Sequence, residues 1–339
     1  PAPGLRDGIE LAIVVGHPTL TREIPALLRR DGVRVVVVDD EAAPVVRTAV
    51  PRRRPDPAAA GAADEVRAGS SVDAEEHCAT LRITAFGATS LMPRVEATEL
   101  RAEADEWMQG WLAASRALEA ARSTDAAAPD VAASRSDDLR ERARFGREEL
   151  AVSREAVTRA MLADAVWRAT WPHDRLVLAA SRLIRDLDAQ VPGKRIRVHA
   201  NRGLAGIDGT IATALGVATA SQFGDDEKAR AGTTRLLIGD LAFAHDAASL
   251  LVAQGGEPAP RMQVIVGNDG GGTIFDGLEV RGSAAPAAFD RVQYTPLALD
   301  VEALARAHGW EYRRAATRGD LEGALTASGR VVIEVPLAR

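Results

Sequence analysis

At 339 residues, the chain is long enough for two domains that each bury a core, and its net charge of −6 argues against nucleic acid as the main partner. The single cysteine, Cys78, excludes a disulfide framework and favours a reducing, cytoplasmic location. Apolar runs stay well short of the roughly 20 residues of a membrane-spanning helix, so we expect a soluble protein without a membrane span.

The first predicted elements form a β-α-β unit. Residues 11–15 and 33–38 are apolar runs that predict strands, and residues 23–30 between them predict a helix. Such a unit is typical of a Rossmann-like domain. Beyond it we expect a loop over residues 47–63, a helix and then a strand within 75–86, a helix over 99–121 and a surface loop over 123–136.

The second half of the chain alternates apolar strands with helices. A helix is expected over residues 148–170. After it, strands are predicted at residues 176–180, 196–199, 235–238, 262–266 and 331–335, and helices at 182–189, 209–220, 244–253, 301–307 and 321–327. This alternation predicts a sheet with helices on both faces. We therefore predict an α/β protein with two Rossmann-like domains, residues 1–146 and 147–339, whose sheets are mostly parallel.

Polar motifs follow two of the predicted strands in the second half. Gly239 and Asp240 end one strand, and Asn268, Asp269 and three glycines end the next. Gly-Asp alone is equally typical of a helix N-cap. Together, however, the two motifs meet at the carboxyl edge of a parallel sheet, where ligands bind. A carboxylate, a second polar oxygen and a glycine carbonyl suit Mg²⁺, and glycines let backbone amides approach a phosphate. The sequence predicts a metal-bridged diphosphate site.

A further motif resembles a known family. Residues 199–210, with the sequence HANRGLAGIDGT, are similar to the Asn-Arg-Gly-x-x-Gly-Ile-Asp-Gly segment of 2-succinyl-5-enolpyruvyl-6-hydroxy-3-cyclohexene-1-carboxylate synthases of menaquinone biosynthesis. The Gly-Asp-Leu run at 239–246 and the glycine run at 270–275 resemble the same thiamine-diphosphate-dependent enzymes. The resemblance is strongest over residues 176–275 and implies a central domain followed by a diphosphate-binding domain.

The resemblance implies cofactors, substrates and partners. Thiamine diphosphate and Mg²⁺ are the expected cofactors, and 2-oxoglutarate and isochorismate the expected substrates. The family's pyrimidine-binding domain is missing from this chain, which begins with Pro1 instead of Met, so we expect a fragment or processed product that is inactive alone. A homo-oligomer is expected because the family's active site lies between subunits. The alternatives are another thiamine-dependent decarboxylase or carboligase, and a noncatalytic cofactor-binding fragment or subunit.

The same resemblance implies roles for individual residues. Ile207 would prop the cofactor in a bent conformation, although the same residues fit an ordinary turn with Asp208 as the N-cap of the next helix. The implied cofactor contacts are Gly206, Gly239, Asp240, Leu241, Gly270, Gly271 and Gly272.

The second metal ligand depends on the alignment. Alignment on Ile274 and Phe275 needs no gap and makes Asp269 and the Gly271 carbonyl the partners of Asp240, which is the preferred hypothesis. Alignment on the glycines instead favours Asn268 and Gly270.

The resemblance also implies a set of substrate contacts. Ser181 and Arg185 lie four residues apart and so on one helix face. Guanidinium groups bind carboxylates in a bidentate manner, which suits the acidic substrates. The implied substrate contacts are Ser181, Arg185, Arg202, Ile274, Phe275 and Arg22. His245 and Asp246, which follow the Gly-Asp-Leu turn, are expected to be structural.

Overall fold

The computed structural model describes residues 8–15, 23–39, 45–49, 78–82, 99–122, 131–201, 206–225, 227–252 and 259–339. Contacts between residues divide the chain into two units, Pro1–Ala121 and Arg122–Arg339. The division expected after residue 146 falls inside a continuous helix, α4 (Leu139–Ser153), which groups with the second unit.

The first unit contains a four-stranded sheet in the order β1-β2-β3-β4. Its elements are β1 (Leu11–Val15), α1 (Glu23–Leu28), β2 (Arg34–Asp39), β3 (Val45–Ala49) and β4 (Cys78–Arg82). The parallel pairing of β1 with β2 confirms the predicted β-α-β unit. The expectation of a mostly parallel sheet is wrong here, because β3 pairs antiparallel with both β2 and β4. Strand β3 also includes residues 47–49, which we expected to be loop.

The long helix of the first unit matches its prediction. Helix α2 spans Glu99–Arg122. Trp107 and Trp111, one turn apart, pack edge to face with their ring centroids 5.8 Å apart.

The second unit alternates helices and strands. Its remaining helices are α3 (Val131–Ser134), α5 (Arg159–Ala169), α6 (Arg182–Gln190), α7 (Thr210–Phe223), α8 (Glu227–Arg230), α9 (Asp240–Asp246), α10 (Val280–Ser283), α11 (Pro286–Phe289), α12 (Val301–Ala307) and α13 (Arg318–Ala324). Single turns of 3₁₀ helix cover Ala247–Leu250 and Thr273–Gly277, and a π-helical turn covers Asp290–Tyr294.

A six-stranded parallel sheet forms the core of this unit. Its strands are β5 (Arg175–Leu178), β6 (Arg197–Ala200), β7 (Thr234–Gly239), β8 (Met262–Asn268), β9 (Glu311–Arg314) and β10 (Arg330–Pro336), in the order β6-β5-β7-β8-β10-β9. Every pairing is parallel, as predicted for this domain. The central strands are almost continuously apolar because helices cover both faces.

Each face of the sheet has its own helical layer. Helices α7, α9 and α12 cover one face, where Phe243, Leu236 and Val264 are fully buried. Helices α5 and α6 cover the other face: a Cβ placed on Gly267 of β8 would lie 2.7 Å from the Leu183 side chain and 3.4 Å from that of Leu162. The two apolar layers fix the positions of the strand ends.

Two predicted helices need correction, and one strand was missed. The helix expected over residues 148–170 is two helices, α4 and α5, because Thr158 caps α5 with its hydroxyl and Ala156 bridges to Thr317. The helix expected over 244–253 starts earlier, at Asp240, and becomes 3₁₀ after Asp246. Strand β9 was not predicted.

The order of the strands creates a crevice at the carboxyl edge. The chain passes from β5 outward to β6 and then crosses to β7 on the other side of β5. Ligands bind at such a switch point in open α/β sheets. Among the helices that the structure describes, none combines the length and the apolar character needed to cross a membrane.

Candidate functional site

The ends of β5 and β7 meet at the switch point. Gly239 ends β7 and Asp240 begins α9, while Ser181 is the N-cap residue of α6 just beyond β5. A Cβ placed on Gly239 would lie 3.6 Å from the Cβ of Ser181. The Ser181 hydroxyl is buried and has no hydrogen-bond partner. The two predicted positions therefore lie against each other across the crevice.

Asp240 is a buried carboxylate with one unsatisfied oxygen. The residue is 2% exposed, and its Oδ1 accepts a hydrogen bond from the backbone N–H of Leu241 at 2.7 Å. Its Oδ2 is buried without a hydrogen-bond partner. Burial and then the charge of Asp269 raise the pKa of Asp240 to about 6, against the opposing effect of nearby backbone N–H groups. A proton or a cation would satisfy a buried oxygen in this state.

Asp269 lies in the same site but is bound by other side chains. Its Oδ2 accepts hydrogen bonds from Nε and Nη2 of Arg159 at 3.2 and 2.9 Å, and from the Thr273 hydroxyl at 2.5 Å. The Asp269 side chain is only 10% exposed. Arg159 thus places a positive charge at the first turn of α5 beside the candidate cation site. Neither Arg159 nor Thr273 was predicted to belong to it.

Asn268 faces a different neighbour. Its amide nitrogen donates to Oε1 of Glu334 at 2.7 Å, and its Oδ1 accepts the Gly270 N–H at 3.3 Å. The second oxygen of Glu334 accepts from the Tyr312 hydroxyl, and burial together with this contact raises the pKa of Tyr312. The Asn268 side chain is therefore directed toward β10, whereas Asp269 acts electrostatically on Asp240.

The glycine run has a backbone that other residues could not adopt. Gly270 and Gly271 have φ angles of +79° and +155°. A Cβ on Gly271 would lie 2.5 Å from the carbonyl oxygen of Tyr294, and one on Gly272 would lie 2.7 Å from that of Gln293. Only glycine fits at Gly271, for both conformational and steric reasons.

Tyr294 forms hydrogen bonds with the backbone at both ends of the segment Asp269–Gly272. Its hydroxyl donates to the carbonyl of Asp269 at 3.0 Å, and its carbonyl accepts the N–H of Gly272 at 2.5 Å. The guanidinium of Arg339 lies 3.8 Å from the centre of the Tyr294 ring and donates to Asp290 at 2.7 Å. Tyr294 is therefore fixed on both sides. Neither Tyr294 nor Arg339 was predicted to contribute.

Ile274 and Phe275 lie just beyond the glycines, in the 3₁₀ turn Thr273–Gly277. Ile274 is half-buried. The Phe275 ring is 36% exposed and would lie 3.0 Å from a Cβ on Gly272. The ring therefore packs against the glycine run and retains an open face.

The turn that carries Ile207 is fixed by Asp246. Gly209, with φ +65°, is the N-cap residue of α7 and provides no side-chain cap. Instead, Oδ2 of Asp246 accepts the N–H groups of Ile211 and Ala212 at 2.6 and 3.2 Å. The suggested N-cap role of Asp208 is therefore wrong.

The structure also describes the neighbours of this cap, which are Gly206, Ile207 and Asp208 before it and His245 beside Asp246. Asp208 is exposed and pairs with His245 at 3.0 Å. Ile207 is partly buried against the core, and Gly206 precedes it at the surface. These contacts agree with the structural role expected for His245 and Asp246.

The predicted substrate residues are described only in part. Arg185 is exposed on α6, and its guanidinium donates to the backbone carbonyl of Ser181 at 2.8 Å. It therefore lies at the rim of the crevice. Arg22 and Arg202 lie outside the described residues.

The donor set has the chemistry of a hard cation site. The carboxylates of Asp240 and Asp269 lie close enough for the charge of Asp269 to act on Asp240. The Gly271 carbonyl accepts the N–H of Thr273 at 3.0 Å. Within the described ranges, no group of three or more His, Cys, Asp or Glu side chains could hold a metal ion. A cation here would need backbone or ligand oxygens to complete its coordination, which is common for Mg²⁺.

Comparisons with known proteins identify relatives along the whole chain. The chain is 52% identical to a 2-succinyl-5-enolpyruvyl-6-hydroxy-3-cyclohexene-1-carboxylate synthase of Leifsonia xyli subsp. xyli, over 98% of this chain and 51% of that protein. It is 50% identical to the synthase of the same name from Clavibacter michiganensis subsp. michiganensis, over 99% of this chain and 51% of that protein. The chain thus spans about half the length of the curated relatives it matches.

Solved structures give weaker similarities. A thiamine diphosphate-dependent 4-hydroxybenzoylformate decarboxylase of Rhodococcus jostii RHA1 is 19% identical, with a TM-score of 0.41 over 54% of this chain and 33% of that chain. A benzoylformate decarboxylase of Polynucleobacter necessarius is 16% identical, with a TM-score of 0.42 over 52% of this chain and 32% of that chain. No protein-family model matches the chain. Sequence identity of about one half along nearly its whole length places the chain in the family of 2-succinyl-5-enolpyruvyl-6-hydroxy-3-cyclohexene-1-carboxylate synthases.

Proposed function

We propose that this chain is the central and diphosphate-binding part of a thiamine-diphosphate- and Mg²⁺-dependent synthase. The complete enzyme would join decarboxylated 2-oxoglutarate to isochorismate in menaquinone biosynthesis. The observation that supports this function best is the buried, unsatisfied Oδ2 of Asp240 at the switch point, beside Asp269 and a glycine run.

The carboxyl edge provides the residues that would hold Mg²⁺ and the diphosphate. We assign Asp240, Asp269 and the Gly271 carbonyl to the cation, because Asp269 acts on Asp240 while Asn268 is bonded to Glu334. A divalent cation would supply Asp240 Oδ2 with the partner it lacks and remove the repulsion between the two carboxylates. Backbone groups of Gly206, Gly239, Leu241, Gly270, Gly271 and Gly272 would surround the diphosphate.

The remaining residues would position the cofactor and the substrates. Ile207, in a turn fixed by Asp246, would support the bent cofactor from below. The unsatisfied hydroxyl of Ser181 and the guanidinium of Arg185 would contact substrate at the rim. We assign Arg202, Arg22, Ile274 and Phe275 to the same role. When bound, thiamine diphosphate would supply the electron sink for decarboxylation of the 2-oxo acid.

The complete active site would require a further domain. The chain spans about half of its relatives, and we propose that a pyrimidine-binding domain, together with a homo-oligomeric assembly in the cytoplasm, provides the rest. A second candidate function is a cofactor-binding subunit without activity of its own, because the buried, unsatisfied Oδ2 of Asp240 supports cofactor binding and does not by itself require turnover.

Calorimetric titration with thiamine diphosphate in the presence and absence of Mg²⁺ tests the site. We expect Mg²⁺-dependent binding that Asp240→Ala abolishes and that Asp188→Ala, an exposed carboxylate on α6, leaves unchanged. Unchanged binding by Asp240→Ala would remove Asp240 from the site.

Turnover tests the function. Purified chain should form no product from 2-oxoglutarate and isochorismate until a pyrimidine-binding domain from a relative is added. Product formed by the chain alone would contradict the need for that domain. Cofactor binding without turnover in the reconstituted mixture would favour the noncatalytic subunit. Turnover with pyruvate in place of isochorismate as acceptor would favour another thiamine-dependent carboligase.

A further inference from the structure

Arg339 lies at the carboxyl edge of the six-stranded sheet, near the candidate cation site. Pro336, the last residue of β10, is the register partner of Asn268 at the end of β8. The N–H of Leu337 then donates to the Asn268 carbonyl at 2.8 Å. The pairing of β10 with β8 therefore brings the residues that follow β10 to the start of the segment Asp269–Gly272.

The side chain of Arg339 connects two turns at this edge. Asp276 lies in the 3₁₀ turn that follows the glycine run, and Asp290 lies in the π-helical turn. Nη2 of Arg339 donates to Asp290 at 2.7 Å and to Asp276 at 3.3 Å. Arg281 approaches the same two carboxylates at 3.7 and 3.8 Å, which is longer than a hydrogen bond. Arg339 therefore links the two turns by hydrogen bonds.

The π-helical turn ends in an unfavourable backbone conformation. Thr295, which follows the turn, has a φ of +45°, and a β-branched residue rarely adopts a positive φ. Such a residue keeps its conformation only where the surrounding contacts hold it. The N–H of Thr295 donates to the Asp290 carbonyl at 2.7 Å, and the N–H of Leu297 donates to the Gly270 carbonyl at 3.0 Å. Arg339 adds a further restraint by binding the side chain of Asp290.

Tyr294, the last residue of this turn, couples the turn to the glycine run. The Arg339 guanidinium lies 3.8 Å from the centre of the Tyr294 ring. The hydroxyl and the carbonyl of Tyr294 bond to the backbone of Asp269 and Gly272. A Cβ placed on Gly270 would lie 3.0 Å from the same hydroxyl, so the tyrosine packs directly against the glycine run. A displacement of Tyr294 would therefore displace the backbone beside the candidate cation site.

We propose that Arg339 is a positioning residue for the candidate cation site. It acts through Tyr294: by fixing the strained turn, it keeps the backbone of Asp269 and Gly271 in the arrangement that a cation requires. Arg339 does so without contacting the cation, because its guanidinium is engaged by two carboxylates and the tyrosine ring. Groups that hold metal ligands in place contribute to metal affinity in this way. This role rests on the function proposed above.

Manganese binding tests the role without measuring activity. Mn²⁺ prefers the same oxygen ligands as Mg²⁺, and electron paramagnetic resonance measures the free ion. The 339-residue chain is titrated with Mn²⁺ in the presence of thiamine diphosphate, and the cofactor without protein gives the baseline. Arg339→Gln removes the charge, and Arg339→Lys retains it. Arg330→Gln is the matched control, because Arg330 also lies over an aromatic ring, 5.7 Å from the centre of Trp310, but at the amino end of β10.

Arg339→Gln should bind Mn²⁺ about tenfold more weakly than the wild type, the loss expected for a cation–π contact together with a partly exposed ion pair. Arg339→Lys should recover part of this affinity, because an ammonium group can lie over the ring and bind one carboxylate. Arg330→Gln should bind like the wild type. All titrations are made well below the unfolding temperature of each variant, where a loss of global stability alone leaves the affinity unchanged.

Tyr294→Phe tests whether the effect passes through the tyrosine. This variant loses the hydroxyl that bonds to the Asp269 carbonyl and keeps the ring. If Arg339 acts by holding Tyr294, the double variant Arg339→Gln/Tyr294→Phe should lose less affinity than the product of the two single losses. Losses that multiply fully would show that Arg339 acts by another route and would overturn the proposal.

The remaining outcomes separate this role from the proposed function. Equal Mn²⁺ affinity of the wild type and Arg339→Gln would overturn the role of Arg339 and leave the proposed function standing. An equal loss in Arg330→Gln would also overturn the role, since the effect would then follow from lost charge at any position. A wild type that binds no Mn²⁺ above the thiamine diphosphate baseline would refute the proposed function and this role together.

Discussion

The guanidinium of Arg159 holds the carboxylate of Asp269 across 110 positions of sequence, through two nitrogens at 2.9 and 3.2 Å from the same oxygen. The two side chains are 15% and 10% exposed, so the pair is largely removed from solvent. Arg159 therefore reduces the negative charge that Asp240 and Asp269 bring together at the switch point.

Replacing Arg159 with Gln should destabilise the protein. Asp269 would remain charged and without its main counter-charge, which costs roughly 3 kcal/mol for a pair buried to this degree. Urea unfolding measures the change. The matched control is Arg306→Gln, which breaks an exposed pair with Glu302 and should cost about 0.5 kcal/mol or less. Mg²⁺ should restore more stability to Arg159→Gln than to the wild type, and equal losses in the two variants would contradict this role.

The stability of the cation-free protein should fall as Asp240 ionises. Its pKa is about 6 in the folded protein and about 3.9 in an unfolded chain. The folded state thus binds more protons between these values, and stability decreases as the pH rises through this window. Two pKa units correspond to about 3 kcal/mol lost by pH 7, as an order of magnitude.

Asp240→Asn measures this contribution. The variant cannot ionise, so its unfolding free energy in the presence of a chelator should change less than that of the wild type between about pH 4 and about pH 7. Equal pH dependence in both proteins would show that the loss arises from other groups. Mg²⁺ should suppress the loss in the wild type, because a cation stabilises the ionised carboxylate.

Gly271→Ala should disrupt the glycine run. A Cβ there would approach the Tyr294 carbonyl to 2.5 Å, at a φ of +155°. We expect a loss of roughly 2–4 kcal/mol from strain and displacement of Tyr294. Gly277→Ala is the control, because a Cβ at Gly277 has no neighbour within 4 Å and its φ is not positive. Denaturant unfolding measures the loss of unfolding free energy in both variants. Similar losses would show that Tyr294 moves aside at little energetic cost.

Arg185 and Arg202 should act on substrate and not on the cofactor. In an enzyme reconstituted with a pyrimidine-binding domain, Arg185→Ala or Arg202→Ala should lower kcat/KM for a substrate about ten- to hundred-fold. Thiamine diphosphate affinity should stay nearly unchanged, and Arg195→Ala should affect neither. Lost cofactor affinity with normal substrate kinetics at saturating cofactor would instead assign these arginines to the diphosphate.

Apolar patterning predicted the central strands of the second sheet well because β5, β7 and β8 are buried on both faces. Strand β9, with the sequence Glu-Tyr-Arg-Arg, escaped prediction because an edge strand can be polar and short. The antiparallel course of β3 depends on pairings with β2 and β4 that local sequence does not encode.

The residues of the candidate site also fall into two groups, those that the sequence predicts and those that it does not. Asp240 and the glycine run lie in motifs, and motifs can be recognised in sequence. Arg159 and Tyr294 lie 110 and 25 positions from Asp269 in sequence and contact it only in the folded protein. The sequence around each of them contains no motif that predicts this contact. Arg22 and Arg202 stay predictions from sequence.

Helix α9 connects two parts of the candidate site at a fixed distance. Asp240 is its first residue and Asp246 its last, and the second holds the start of α7 and with it the turn of Ile207. The six steps from Asp240 to Asp246, at about 1.5 Å each, set roughly 9 Å between these two anchoring points. Insertion or deletion of a single residue within α9 would rotate one carboxylate about 100° away from its partner. The length of α9 therefore fixes the distance between the candidate cation site at Asp240 and the turn that carries Ile207.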